Sequence, residues 1–115
     1  MTERLFAIGD IHGCARELEH LLGALPIAAG DTVAFVGDYL DRGPDSRAAV
    51  DLCLALQGRT DITTVFLKGN HEDMLLDFIG QGGRYGEAFL YNGGAATLRS
   101  YGLLGEEGPE AARRL

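Results

Sequence analysis

Three places in this 115-residue chain set metal-type or acid–base side chains directly after a short apolar run. They are Gly9-Asp10-Ile11-His12-Gly13, Gly37-Asp38-Tyr39-Leu40-Asp41-Arg42-Gly43 and Gly69-Asn70-His71-Glu72. Carboxylates and imidazoles suit hard or borderline divalent cations, and a carboxylate lying between two cations can bridge them. Two ions about 3.5–4 Å apart can activate a water and stabilise charge on a phosphoryl group during in-line displacement. Imidazole can donate a proton near neutral pH, and a guanidinium matches phosphate oxygens bidentately. A bimetallic centre is the chemistry that fits. Other familiar chemistries fail on spacing. No Gly-x-Gly-x-x-Gly follows the first apolar run, and the one lysine, Lys68, precedes Gly69-Asn70, so no phosphate-cradling loop is present. His71-Glu72 begins like a zinc-protease motif, but Leu75 stands where the second histidine belongs.

Such side chains need elements to bring them together. Leu5–Ile8, Val33–Val36 and Ile62–Leu67 read as strands, the first two continuously apolar as expected of strands covered on both faces. Leu18, Leu21, Leu22 and Leu25 mark one face of a helix after the first strand. Asp45 or Ser46 can cap a second helix that stops at Gly58, and Met74, Leu75, Phe78 and Ile79 stripe a third that ends by Gly80. Asp10, Asp38 and Asn70 recur at intervals of 28 and 32 residues, close to the roughly 30 residues of a βαβ unit. The pattern predicts an α/β fold, β-α-β-α-β-α with a parallel sheet, whose ligands gather beyond the carboxyl ends of the strands. Further on, Gly82-Gly83 and Asn92-Gly93-Gly94 read as turns, Ala95 to Tyr101 as a short helix, and Pro109 to Leu115 as a helix beginning.

The bulk composition narrows the class. A length of 115 residues suits one domain, 1–115, and 46% hydrophobic residues suffice for a core. A formal charge of −7, with nine arginines and one lysine, lacks the footprint of a nucleic-acid binder. The apolar run Leu5–Ile8 is too short for a signal peptide or a membrane span, and Cys14 and Cys53 lack metal-site or redox spacing. A cytoplasmic protein with reduced thiols, and with neither nucleic-acid nor membrane partners, is expected.

Together the three motifs resemble the consecutive signatures of the phosphoprotein phosphatases, within the calcineurin-like metallophosphoesterase superfamily, in their bacterial serine/threonine form. The resemblance covers residues 5 to 80 strongly, while Asn92-Gly93-Gly94 and Leu98 to Gly102 resemble bacterial members more weakly. It implies a four-layer α/β/β/α architecture of which this chain forms the front half. It implies that Asp10, His12 and Asp38 hold one metal, with Asp38 bridging to a second metal bound by Asn70. His71 is the implied general acid, oriented by Asp41. Arg42 grips the phosphoryl oxygens, with Asn70 and His71 completing the phosphate site. The implied nucleophile is a metal-bound water, and the two divalent ions are expected to be manganese, with iron or zinc also suited to such ligands.

Members of that family complete the second metal site with two later histidines, whereas this chain has only His12, His20 and His71. The chain is therefore expected to be the N-terminal part of a domain truncated on its C-terminal side, with little activity alone. The first-choice function is hydrolysis of phosphomonoesters, above all phosphoserine and phosphothreonine in proteins. One alternative is symmetrical cleavage of dinucleoside tetraphosphates, a sister group that often replaces the aspartate at the place of Asp41 and carries aspartate at the place of Glu72. Another is a catalytically incomplete fragment that binds a metal or phosphate. Taken singly, the residues have ordinary readings: Asp10 and Asp38 as turn residues, Asn70 as a helix cap, Asp41–Arg42 as a solvated ion pair, and His20 as a surface imidazole. For Glu72 the ordinary reading is a complement to the helix dipole.

Overall fold

A computed structural model describes residues 3–79 and 89–103 of the chain. Leu5–Ile8 (β1), Thr32–Phe35 (β2) and Thr63–Phe66 (β3) are strands, and Ala15–Ala24 (α1) and Ser46–Gln57 (α2) connect them. Asn70–Phe78 (α3) follows β3; a π-helical turn, Leu90–Gly94, leads into the short helix Ala95–Ser100 (α4). The strands pair in parallel in the order β1-β2-β3, with Leu5, Thr32 and Thr63 in register at one end and Ile8, Phe35 and Phe66 at the other. The alternation of strand and helix expected from the sequence is thus present, and all three strands end on the same edge.

Alternate strand residues point to one face, and α1 and α2 cover that face. Ile8, Ile11, Leu18, Val33, Phe35, Ala49 and Cys53 form its buried centre, with Phe6, Leu22 and Phe66 packed around them. The Phe35 and Phe66 rings stack at 5.0 Å, nearly parallel. Fully burying a side chain such as Val33 or Phe35 contributes roughly 1.5–3 kcal/mol, so this cluster carries much of the fold. The other face differs from expectation. Leu5, Val36, Val65 and Leu67 lie exposed, and among the described residues no element packs against them. The first two apolar runs are expected to be strands covered on both faces; among the described residues one face is covered. Leu21, placed in the buried helical stripe, is also exposed, because α1 turns Leu18 and Leu22 toward the sheet instead.

A second cluster lies beyond the strand ends. Leu40, Met74, Phe89, Leu98 and Leu103 join α3 to the segment 89–103, with Leu75, Phe78 and Leu90 packed against them. Local signals set the helix ends. The Asp45 carboxylate caps α2 by accepting from the Ala48 N–H at 3.0 Å, while Ser46 becomes the first helical residue and is fully buried. At the other end Gly58 donates its N–H to the Leu54 and Ala55 carbonyls. The turn expected at Asn92-Gly93 is present, with Gly93 at φ 99°, and Ala95 to Ser100 is helical. The sequence features at Gly80, Gly82-Gly83 and Pro109 to Leu115 lie outside the described residues.

Candidate functional site

At the carboxyl edge of the sheet the chain leaves each strand through a glycine and then bends back on itself. Gly37 has φ 102°, and a Cβ there would strike the backbone of Gly69, so the second and third strand ends touch only because neither residue has a side chain. Five non-glycine residues among those described also have positive φ: Asp10 at 48°, His12 at 45°, Asp38 at 56°, Asp41 at 77° and Arg42 at 71°. Each such residue costs on the order of 1 kcal/mol or more and persists only where surrounding bonds over-determine it. All five were singled out from the sequence as site residues. Strain is concentrated where the chemistry was expected.

The bonds that hold these loops run between them. The His12 N–H donates to the Asp38 carbonyl and the Gly13 N–H to the Tyr39 carbonyl, each at 2.9 Å. Glu72 accepts from the backbone N–H groups of Asp38 (2.6 Å), Gly69 (2.8 Å) and Tyr39 (3.0 Å). Reaching back to Gly69 is the habit of a glutamate at the third helical position, in the manner of a capping box. Besides its place in the third motif, the ordinary reading of Glu72 is a complement to the helix dipole; its spacing from Gly69 is the signal for this further role. Asn70, weighed as a helix cap, is instead the first residue of α3. Tyr39 donates its O–H to the Leu67 carbonyl at 2.7 Å, and burial, with the nearby Glu72 carboxylate, pushes its phenol up to about 12.

Asp10, His12 and Asp38 converge, with one ligand atom from each lying within 4.8 Å of the others. His12 Nδ1 lies 3.0 Å from the Leu40 carbonyl, so its proton sits there and Nε2 is left with a free lone pair. The Asn70 amide faces both oxygens of Asp38. With nitrogen toward them it donates two hydrogen bonds, at 3.0 and 3.1 Å. With oxygen toward them it adds a neutral donor atom at the same point, as a cation ligand does. Two carboxylates, one oriented imidazole and an adjacent amide form a donor set that fits a divalent cation such as Mn²⁺, Fe²⁺ or Zn²⁺. For a second cation the set offers Asp38 and Asn70. The remaining histidine, His20, is exposed on α1.

Beside this cluster lies an acid–base pair. His71 is buried, and its Nδ1 lies 2.8 Å from Asp41 Oδ2, which makes Nδ1 the donor and Nε2 the free nitrogen. The His12 and His71 rings meet edge to face, with centroids 4.5 Å apart. The His71 backbone N–H donates to Asp38 Oδ1 at 3.0 Å, tying the pair to the metal-type cluster. Asp41 is fully buried. Burial pushes its carboxyl above the usual range, against hydrogen bonds from Thr97 and His71 that favour the ionised form. Thr97 was not recognised in the sequence; no local pattern marks a residue so distant in the chain. Arg42 is exposed, and its backbone N–H donates to the Gly93 carbonyl at 3.0 Å, where any Cβ on Gly93 would collide with Arg42.

Comparison with known proteins agrees with this arrangement. A model of the calcineurin-like phosphoesterase family matches residues 3–108. The chain is 38% identical over 91 residues to serine/threonine-protein phosphatase 1 of Salmonella typhimurium, covering 78% of this chain and 38% of that protein. It is 34% identical over 109 residues to the asymmetrical bis(5'-nucleosyl)-tetraphosphatase PrpE of Oceanobacillus iheyensis, covering 87% and 41%. It is 39% identical over 72 residues to the symmetrical bis(5'-nucleosyl)-tetraphosphatase of Neisseria gonorrhoeae, covering 62% and 25%. The chain thus spans about two fifths or less of the length of these curated relatives. No described helix is long and apolar enough to cross a membrane.

Proposed function

The chain belongs to the calcineurin-like phosphoesterase family, and on that premise we propose that the protein hydrolyses phosphomonoesters, with phosphoserine and phosphothreonine side chains as its substrates. Asp10, His12 and Asp38 would hold one divalent cation, manganese by preference, and Asp38 with Asn70 would contribute to a second. Bound cations of this kind supply a water acidic enough to attack near neutral pH and offset charge on the phosphoryl oxygens. The chain's own residues do the rest. Arg42 offers its guanidinium to two phosphoryl oxygens, a geometry a lysine cannot match. His71 carries a proton on Nε2 and gives it to the departing oxygen, while Asp41 fixes the ring through Nδ1 and stabilises the imidazolium before transfer. Nδ1 is taken by Asp41, which leaves Nε2 as the nitrogen available for this transfer.

The observation that carries the reading is the Asp10–His12–Asp38 cluster lying against a histidine paired to a buried aspartate. The relatives favour a second reading, cleavage of dinucleoside tetraphosphates, because two of the three carry that name. Asp41 and Glu72 argue for the protein phosphatase, since the symmetrical tetraphosphatases often lack an aspartate at the first position and carry aspartate at the second. The intact protein assayed with Mn²⁺ on a phosphothreonine peptide and on diadenosine tetraphosphate decides between them. Turnover of the peptide is the expected result; turnover of the dinucleotide alone overturns the choice.

A further inference from the structure

We propose that Thr97 is a positioning residue for proton transfer, setting the carboxylate of Asp41 and, through it, the ring of His71. The inference rests on the reading of His71 as the proton donor. Thr97 lies on α4, outside all three motifs, and is fully buried. Its Oγ1 accepts from the Asp41 N–H at 2.8 Å and donates to Asp41 Oδ1 at 2.5 Å, while Oδ2 of the same carboxylate accepts from His71 Nδ1 at 2.8 Å. A carboxylate held at both oxygens has a fixed plane. Because the single Thr97 proton goes to Oδ1, the contact between Ser46 Oγ and Thr97 Oγ1, at 3.1 Å, must take its proton from Ser46. Ser46 is also fully buried, and its hydroxyl lies 3.1 Å from the Asp41 N–H. Each hydroxyl in the chain has one direction, and the chain ends on the carboxylate.

The surroundings make this a brace. Asp41 and Arg42 both have left-handed backbones, and the segment 89–103 grips both, through Thr97 at Asp41 and the Gly93 carbonyl at Arg42. Phe89 and Leu98, almost wholly buried in the second cluster, anchor that segment on either side of Gly93. Without the Thr97 hydroxyl, Asp41 loses a donor on Oδ1 and an acceptor for its N–H, and its carboxylate is free to rotate away from Nδ1.

The test uses Thr97→Val, which keeps the shape and removes the hydroxyl, and Thr97→Ser, which keeps the hydroxyl, both in the intact protein. Outer hydrogen-bond partners of metal-ligating side chains matter by about 10- to 100-fold; by that measure Thr97→Val is expected to lower kcat by the same factor with KM changed less than about 3-fold. Thr97→Ser is expected to restore most of the rate. Nitrogen-15 spectra of the His71 ring need no substrate. Recorded at alkaline pH, where the ring is neutral, the parent and Thr97→Ser should show the single tautomer protonated on Nδ1, and Thr97→Val an averaged pair. Should the valine variant not fold, Thr97→Ala is measured the same two ways. Parent-like ring shifts and kcat in the hydroxyl-free variant overturn the proposal. So does a serine variant as impaired as the valine one. If the protein hydrolyses no phosphoester, the hydrolase reading fails while the ring spectrum still decides the role of Thr97.

Discussion

Glu72 suspends Asp38: one carboxylate oxygen takes the Asp38 N–H at 2.6 Å while the other takes the Tyr39 N–H at 3.0 Å. The candidate bridging ligand is therefore held through its backbone by a residue outside the candidate ligand set. Glu72→Ala leaves three backbone donors without this acceptor and is expected to cost about 2 kcal/mol in urea unfolding, since half-burial lets water replace part of the loss. Mn²⁺ affinity should fall about 10-fold with it, as for other residues that orient ligands. Unchanged Mn²⁺ affinity in calorimetry would show that Asp38 keeps its place unaided.

Mn²⁺ titrated calorimetrically into the 115-residue chain should reveal one tight site and one much weaker site. On the proposed reading Asp10, His12 and Asp38 would serve the first, and among the described residues the second would draw on Asp38 and Asn70. Asp10→Asn and His12→Ala should each abolish the tight phase. Two sites of equal affinity would contradict this division.

His71→Asn and Asp41→Asn act on the proton and not on the cations. Loss of a positioned general acid costs about 100- to 10,000-fold in kcat, so both variants should be slow on a phosphopeptide while binding Mn²⁺ like the parent. On an ester with a nitrophenolate leaving group, which needs no proton, the deficit should shrink. An equal deficit on both substrates would refute general acid catalysis by His71.

Acid should weaken the fold through Asp31. This carboxyl is buried between the Ala28 N–H, 2.8 Å away, and the Arg4 guanidinium at 2.9 Å. The Ala28 bond first, and Arg4 second, hold it below the usual carboxylate range. Its contribution is complete above the unfolded value of about 4 and is lost as pH falls through the lower folded value. Asp31→Asn should lower the urea midpoint at neutral pH and flatten the decline on acidification. A parent-like slope in the variant would assign that decline to other groups.

Burial pushes the Cys53 thiol up to about 11, so almost none is thiolate at neutral pH. Iodoacetamide at mildly alkaline pH should label Cys53 only after unfolding in urea. Labelling of the folded protein at the rate of a free thiol would mean that α2 opens readily.

Much of this was legible in the sequence because it is local. Glycine before Asp10, Asp38 and Asn70, and the near-equal spacing of those three, disclosed a parallel sheet with polar strand ends. The pairing of His71 with Asp41 came from resemblance, since 30 residues separate them. What escaped reading is long-range. Thr97 reaches Asp41 across 56 positions and Glu72 reaches Tyr39 across 33, and no periodicity encodes such contacts. The apolar run Leu5–Ile8 suggests two covered faces, yet Leu5 is exposed while Ile8 is buried, because four apolar residues do not encode what lies against the second face. The left-handed backbones of Asp10, His12, Asp38, Asp41 and Arg42 were unforeseen, since hydrogen bonds across the loops enforce them.

The two hydrophobic clusters divide the labour of the site, and this predisposes it to fail in stages. The candidate ligands Asp10, His12 and Asp38 lie on loops rooted in the sheet, whereas the support for Asp41 comes from the segment 89–103, anchored in the smaller cluster. Small cooperative units open at lower free energy than a sheet core. Warming or dilute denaturant should therefore melt the brace first, giving a state that still clasps its cation yet has lost command of the proton.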